Sequence, residues 1–152
     1  MKKSGGSYTD RKKAVLVSAC LMGAKCRYDG TDCQTAVKLV KGEVPVPVCP
    51  EQLGGLSTPR PKSTIHGGDG RQVWSGAARV VTEEGARVTE QFITGAGKAV
   101  RIAALVGATK AYLKENSPSC GVRFTNEDFE RRPGIGVTTA LLIASGIKVV
   151  GV

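Results

Sequence analysis

The stretch Val44-Pro45-Val46-Pro47-Val48-Cys49-Pro50-Glu51-Gln52-Leu53-Gly54-Gly55-Leu56-Ser57-Thr58-Pro59-Arg60-Pro61 decides how this chain is read. Alternating valine and proline hold the backbone extended, because proline fixes φ and disfavours helix in the residue before it. The run therefore predicts a strand over 44–48 that ends at Cys49. Pro50 follows, and Gly54 and Gly55 let the backbone turn and approach a neighbour closely. A thiol and, two residues on, the Glu51 carboxylate are thus delivered together at a strand end. Taken alone, Cys49 fits better a small buried hydrophobe before a loop.

Working outward, Ala14–Ala19 is a short Val-rich apolar run, the pattern of a strand buried on both faces of a parallel sheet. It runs into Cys20 and a glycine-punctuated loop, Leu21 to Gly30. Residues 32–41 carry a weak helical pattern with Asp32 as N-cap and Gly42 as stop. Beyond the central stretch, residues 57–76 are broken by proline and glycine, and the length of this irregular segment suggests a lid or binding loop. Within and after it, 71–73 and 78–82 are β-branched enough to pair as a small hairpin. The period then changes to a helical stripe from Thr89, its cap, to about Val106. A third strand over 108–114 leads to Glu115-Asn116-Ser117-Pro118-Ser119-Cys120-Gly121. After a further loop, an apolar helix over 136–145 and a strand over 147–150 close the chain. This alternation is that of an α/β fold with a mainly parallel sheet.

Composition narrows the function classes. At 152 residues the chain is long enough for one domain with a real core. The formal charge is +9; five basic residues and one acid fall in 1–13, so that segment carries +4 of it. We read 1–13 as a disordered basic tail and 14–152 as a single domain. No apolar run reaches membrane-spanning length and no leader pattern opens the chain, so a cytoplasmic protein without a membrane partner is expected. Seven aromatics without basic-aromatic interleaving disfavour nucleic acid as main partner and leave an anionic or polar small molecule.

The five cysteines carry the functional argument. In a reducing compartment such thiols serve metals or catalysis more often than disulfides. Cys20, Cys49 and Cys120 each stand just past the carboxyl end of a predicted strand, and those ends share one edge of a parallel sheet, where ligands bind. Three converging thiolates suit a soft metal centre. Structural zinc usually includes a C-x₂-C pair, whereas the nearest spacings here are C-x₅-C and C-x₆-C. A [4Fe–4S] cluster takes one thiolate per iron, so three would leave one iron open to a substrate atom. Arg60 is placed either to hold a phosphate or substrate oxygen or merely to be solvated or paired with a neighbouring carboxylate, Asp29 to hydrogen-bond a substrate edge or merely to form its turn before Gly30, and His66 reads as a surface residue.

Four motifs in order then add a resemblance. Ser18-Ala19-Cys20-Leu21-x-Gly23-x-x-Cys26-Arg27-Tyr28-Asp29-Gly30, Cys49-Pro50-Glu51-x-x-Gly54-Gly55-Leu56-x-Thr58-Pro59-Arg60-Pro61, Lys114-Glu115-x-Ser117-Pro118-Ser119-Cys120-Gly121 and Gly136-Val137-Thr138 resemble the thiouracil desulfidase family over nearly the whole chain after the tail. The resemblance implies a Rossmann-like fold, an open, mainly parallel sheet with helices on both faces. It also implies an oxygen-sensitive [4Fe–4S] cluster on Cys20, Cys49 and Cys120, whose fourth iron captures the substrate's sulfur. Thiouracil would be converted to uracil with release of sulfide, with Glu51 and Ser117 as the catalytic acid and hydroxyl. Asp29, Arg60 and Ser119 are taken as substrate-binding, and the substrate as a thiolated nucleobase or nucleotide. Cys26 and Cys33 are extra thiols expected to be dispensable, with Cys26 open as an alternative ligand to Cys20 or as a sulfur-delivery site. Two rival readings stand beside this one: a cluster-free sulfur transferase working through a cysteine persulfide, and a binding module that senses redox state or stores metal.

Overall fold

In a computed structural model that describes residues 11–152, the elements run β1 (Lys13–Ser18), β2 (Glu43–Val48), α1 (Pro50–Leu53), β3 (Ser63–His66), α2 (Gly70–Ser75), β4 (Arg79–Thr82), α3 (Thr89–Val106), β5 (Lys110–Leu113), β6 (Phe124–Glu127), β7 (Glu130–Pro133), α4 (Val137–Ala144) and β8 (Lys148–Gly151). Residues 1–10 of the expected tail lie outside the described residues, and Lys13 at its end is the first residue of β1. The expected α/β architecture is present. Four parallel strands form a sheet in the order β2-β1-β5-β8, with β1 and β2 in register from Lys13 opposite Glu43 to Ser18 opposite Val48. Pro45 and Pro47 are tolerated because β2 lies at the edge of that sheet.

Alternation along β1 and β5 divides their side chains between two cores. Leu16, Ala111 and Leu113 pack with Ala103 of α3 and Leu142 of α4. Val15, Val17 and Tyr112 face the other way, under the 3₁₀ turn Ala19–Met22 and the chain that follows it, with Leu21, Cys26, Cys33 and Val37. The helix expected over 32–41 is absent. Asp32 instead caps the amide of Gln34 in a local turn, and the amides of Cys33 and Thr35 donate to the carbonyls of Cys20 and Leu21. These bonds tie the segment to the turn after β1.

A second, mixed sheet, in the order β4-β3-β6-β7, was not anticipated. β4 does pair antiparallel, but with β3 and not with 71–73. Those residues lie in α2, which Asp69 starts by accepting the Arg71 amide while Gln72 bonds back to the Asp69 amide. Residues 124–133, read as loop, form the β6–β7 hairpin, whose turn holds Asp128 and Phe129 at φ 50° and 61°. Thr89 begins α3 without capping it; its hydroxyl is engaged by the Val80 amide and carbonyl of β4.

α3 ties the sheets together. Its first half packs Phe92 and Ala96 against Ile65, Val73, Val80 and Val137, and its second half joins the first core through Ala103. Against α1 the approach is closer than any side chain allows: a Cβ on Gly95 would stand 1.9 Å from the Pro50 carbonyl oxygen, and one on Gly54 2.0 Å from that of Gln91. This contact seats α1, and with it the residues at its start, against the long helix.

Candidate active site and cluster pocket

Three strand ends bring the thiols together. Cys20 sits in the 3₁₀ turn directly after β1, and Cys49 is the extended residue (φ −122°, ψ 99°) between β2 and α1. Cys120 lies in the loop after β5. That loop is pinned by Glu115, whose carboxylate accepts from the amides of Val122, Arg123 and Phe124 and from Arg123 Nε. The first amides of α4 complete the clamp, with Val137 donating to the Pro118 carbonyl and Thr138 to that of Ser119. Gly136 is required there, since a Cβ would fall 2.3 Å from the Ser119 backbone.

Cys20, Cys49 and Cys120 line one cavity of about 110 Å³, bounded by the carboxyl ends of β1, β2 and β5 and by residues of β3 and β6. Glu51, Arg60 and Ser117 line it too, as does Cys26. Asp29 and Ser119 do not. Asp29 lies on the exposed Arg27–Thr31 turn, where its Oδ1 accepts from the Thr31 hydroxyl and amide, and these bonds hold its carboxyl below the usual range. Ser119 is buried behind the Cys120 loop, its hydroxyl 2.8 Å from that of Thr138. Cys33 packs beneath the sheet, and His66 is exposed beside Asp128.

The polar side chains are tightly assigned. Arg60, 4% exposed, donates from Nε to Glu51 Oε1 at 3.1 Å, from Nη1 to the Ser57 carbonyl and the Thr58 hydroxyl, and from Nη2 to the Cys26 carbonyl at 2.9 Å. Every guanidinium nitrogen thus has a protein partner. Burial pushes the Glu51 carboxyl up, while the Arg60 charge and hydrogen bond pull against it. Ser117 Oγ accepts from the amides of Ser119 and Cys120, at 3.1 and 3.0 Å. With both lone pairs used, its hydroxyl is left as a donor.

The thiols influence one another. Cys49 Sγ lies 3.8 Å from the Cys26 carbonyl oxygen. The neighbouring Cys26 lowers Cys20 below the ordinary thiol range and, together with burial, raises Cys49 far above it. Burial pushes Cys120 up to about 12. Thiols raised in this way stay protonated, and a coordinating metal deprotonates them outright.

Among the described residues no three His, Cys, Asp or Glu side chains converge on a single metal ion. A four-iron cube makes a different demand: each iron takes its own thiolate, so the ligands stand around the cofactor instead of meeting at a point. Unbridged thiols from three strand ends around one cavity fit that demand.

Known proteins resemble this chain in sequence and in fold. The family model described as 2-thiouracil desulfurase matches residues 15–151. An uncharacterized protein of Bacillus subtilis (strain 168), YbbK, is 45% identical over 141 residues, covering 90% of this chain and 93% of its own. Among solved structures, the [4Fe–4S]-dependent thiouracil desulfidase TudS matches with a TM-score of 0.78 at 38% identity, over 92% of this chain and 91% of that one.

Proposed function

The chain belongs to the 2-thiouracil desulfurase family, and from that premise we propose that it removes sulfur from a thiolated pyrimidine such as thiouracil, giving uracil and sulfide, on a [4Fe–4S] cluster held by Cys20, Cys49 and Cys120. The observation that supports this most is the meeting of those three thiols with Glu51 and Ser117 around one cavity. Held by three cysteines, the cluster supplies an open iron, a soft Lewis acid matched to a thiocarbonyl sulfur.

The chain's own residues do the rest. Arg60 fixes Glu51 through Oε1, leaving Oε2 as the oxygen that exchanges protons in the cavity. There it takes a proton from the water that supplies the product's oxygen and returns it to the departing side. Desolvation, which favours the protonated carboxyl, and Arg60, which favours the charged one, together poise the group for both roles. Ser117, able only to donate, gives its hydrogen to an exocyclic atom of the base or to the attacking water. Arg60 therefore acts by positioning Glu51. Arg27, Lys62 and Lys114 also line the cavity, a setting that suits an anionic substrate, a thiolated nucleotide included. No described helix is long and apolar enough to cross a membrane.

Anaerobic reconstitution with iron and sulfide tests the reading. About four irons per chain, a brown protein and uracil formed from 2-thiouracil are expected. A colourless protein that carries a cysteine persulfide and forms no uracil would overturn it in favour of a cluster-free sulfur transferase.

A further inference from the structure

The mixed sheet contributes a second wall to the cavity, and one of its side chains has an unused donor. Asn126 of β6 is 8% exposed and lines the cavity. Its Oδ1 lies 2.6 Å from Thr64 Oγ1 of β3, and that hydroxyl accepts the Phe129 amide at 2.9 Å. The order of donors follows from the lengths. A separation of 2.6 Å is that of an O–H donor to oxygen and is short for an amide N–H. The Thr64 hydroxyl therefore receives from Phe129 and gives to Asn126 Oδ1, which fixes the amide plane. Asn126 Nδ2 has no hydrogen-bond partner among the described residues, yet it is not one of the sealed polar atoms of the interior. It carries its two hydrogens at the cavity wall. A donor held in a fixed plane and open to the cavity is placed to give its hydrogens to an acceptor that a bound ligand brings.

We propose that Asn126 sets substrate specificity by donating from Nδ2 to the oxo group that a thiouracil carries in addition to its thiocarbonyl. The inference rests on the desulfidase reading and deepens it. Whichever ring carbon bears the sulfur, a thiouracil presents an oxygen acceptor at the other. 2-Thiocytosine presents an amino donor there, which would face Nδ2–H donor to donor. A site built around a fixed buried donor rejects the mismatched analogue strongly, because neither group then finds a partner. The β6–β7 turn, held by the Asp128 amide on the Ile65 carbonyl and the Phe129 amide on Thr64, is the anchor of the relay.

The test compares 2-thiouracil with 2-thiocytosine as substrates of the reconstituted enzyme, and uracil with cytosine as ligands measured by calorimetry. The wild type is expected to prefer the oxo base in both measurements. Asn126→Asp replaces the free donor by an acceptor and should shrink the preference at least about tenfold. Asn126→Ala should raise KM for 2-thiouracil with kcat and iron content little changed, which a structural lesion would not reproduce. A wild type that handles both bases within about threefold, or an Asn126→Asp protein of normal iron content that keeps the full preference, overturns the inference and leaves desulfuration standing. Should the wild type desulfurate neither compound, the enzymatic reading fails, and the ratio of uracil to cytosine binding still decides the role of Asn126.

Discussion

Glu51 lines the cavity with one oxygen tied to Arg60 and the other without a hydrogen bond among the described residues. Replacing it by Gln keeps shape and the contact with Arg60 Nε while removing the proton acceptor. Turnover of 2-thiouracil should fall roughly 10²–10⁴-fold with iron content unchanged. Near-normal turnover at full iron would remove Glu51 from the chemistry. Among the cysteines, Cys33→Ser should retain about four irons per chain, since Cys33 faces the core beneath the sheet. Cys26→Ser is expected to retain them as well; loss of iron from that variant would make Cys26 a ligand in place of Cys20. At this scale much of the site could be read from sequence. Cysteines after strand ends and Glu51 after Cys49 are local patterns, and parallel strands bring local patterns to one edge; Ser117 came only with the family resemblance. The occupation of every Arg60 nitrogen by protein was hidden, because its partners at Ser57, Thr58 and the Cys26 carbonyl depend on how two loops fold over each other.

The loop from Glu115 to Phe124 is the element on which the third thiol depends. Glu115 is 8% exposed, and although burial raises its pKa, hydrogen bonds from Arg123 and from the amides of Val122, Arg123 and Phe124 together hold it below its ordinary value. A carboxylate depressed in the folded state contributes stability that is fully present above its unfolded pKa of about 4.3 and is lost as pH falls through the folded pKa. Glu115→Gln should destabilise the cluster-free protein by roughly 2–3 kcal/mol at pH 7. In thermal unfolding followed from pH 7 towards 3, the gap to wild type should close below about pH 4. A gap that is constant over that range would show the loop does not hang on the charge. The elements also show where reading a sequence succeeds. The Val-Pro run, the α3 stripe and the apolar α4 are strong periodic signals and fall where expected. The 71–73 error had a remedy in plain sight, as Asp69 and Gln72 are spaced as a capping box. The β6–β7 hairpin had none: its turn places Asp128 and Phe129 at positive φ without the Asn-Gly or Asp-Gly pair that marks such turns.

Across the whole molecule, a parallel sheet supplies the thiols and a mixed sheet supplies Asn126, with α3 packed on both cores. The mixed sheet escaped sequence reading because its strands are four residues long and β3 meets β6 through a single pair, Ile65 opposite Glu127. So short a ladder leaves no periodic trace, and the part of the cavity wall that Ser63 and Asn126 form went with it. One earlier feature bears on how these molecules behave towards each other. β2 ends the parallel sheet, and a bare strand edge is an invitation to polymerise. Pro45 and Pro47 carry no N–H, so a foreign strand laid along that margin would find donors missing from its ladder. Converting both prolines to valine should leave the fold intact while making concentrated solutions turbid, as light scattering against time would record; equal clarity of the two proteins would locate the protection elsewhere. The same two residues that straighten the chain on its way to Cys49 thus serve a second purpose, keeping a crowded population of copies from knitting into fibres.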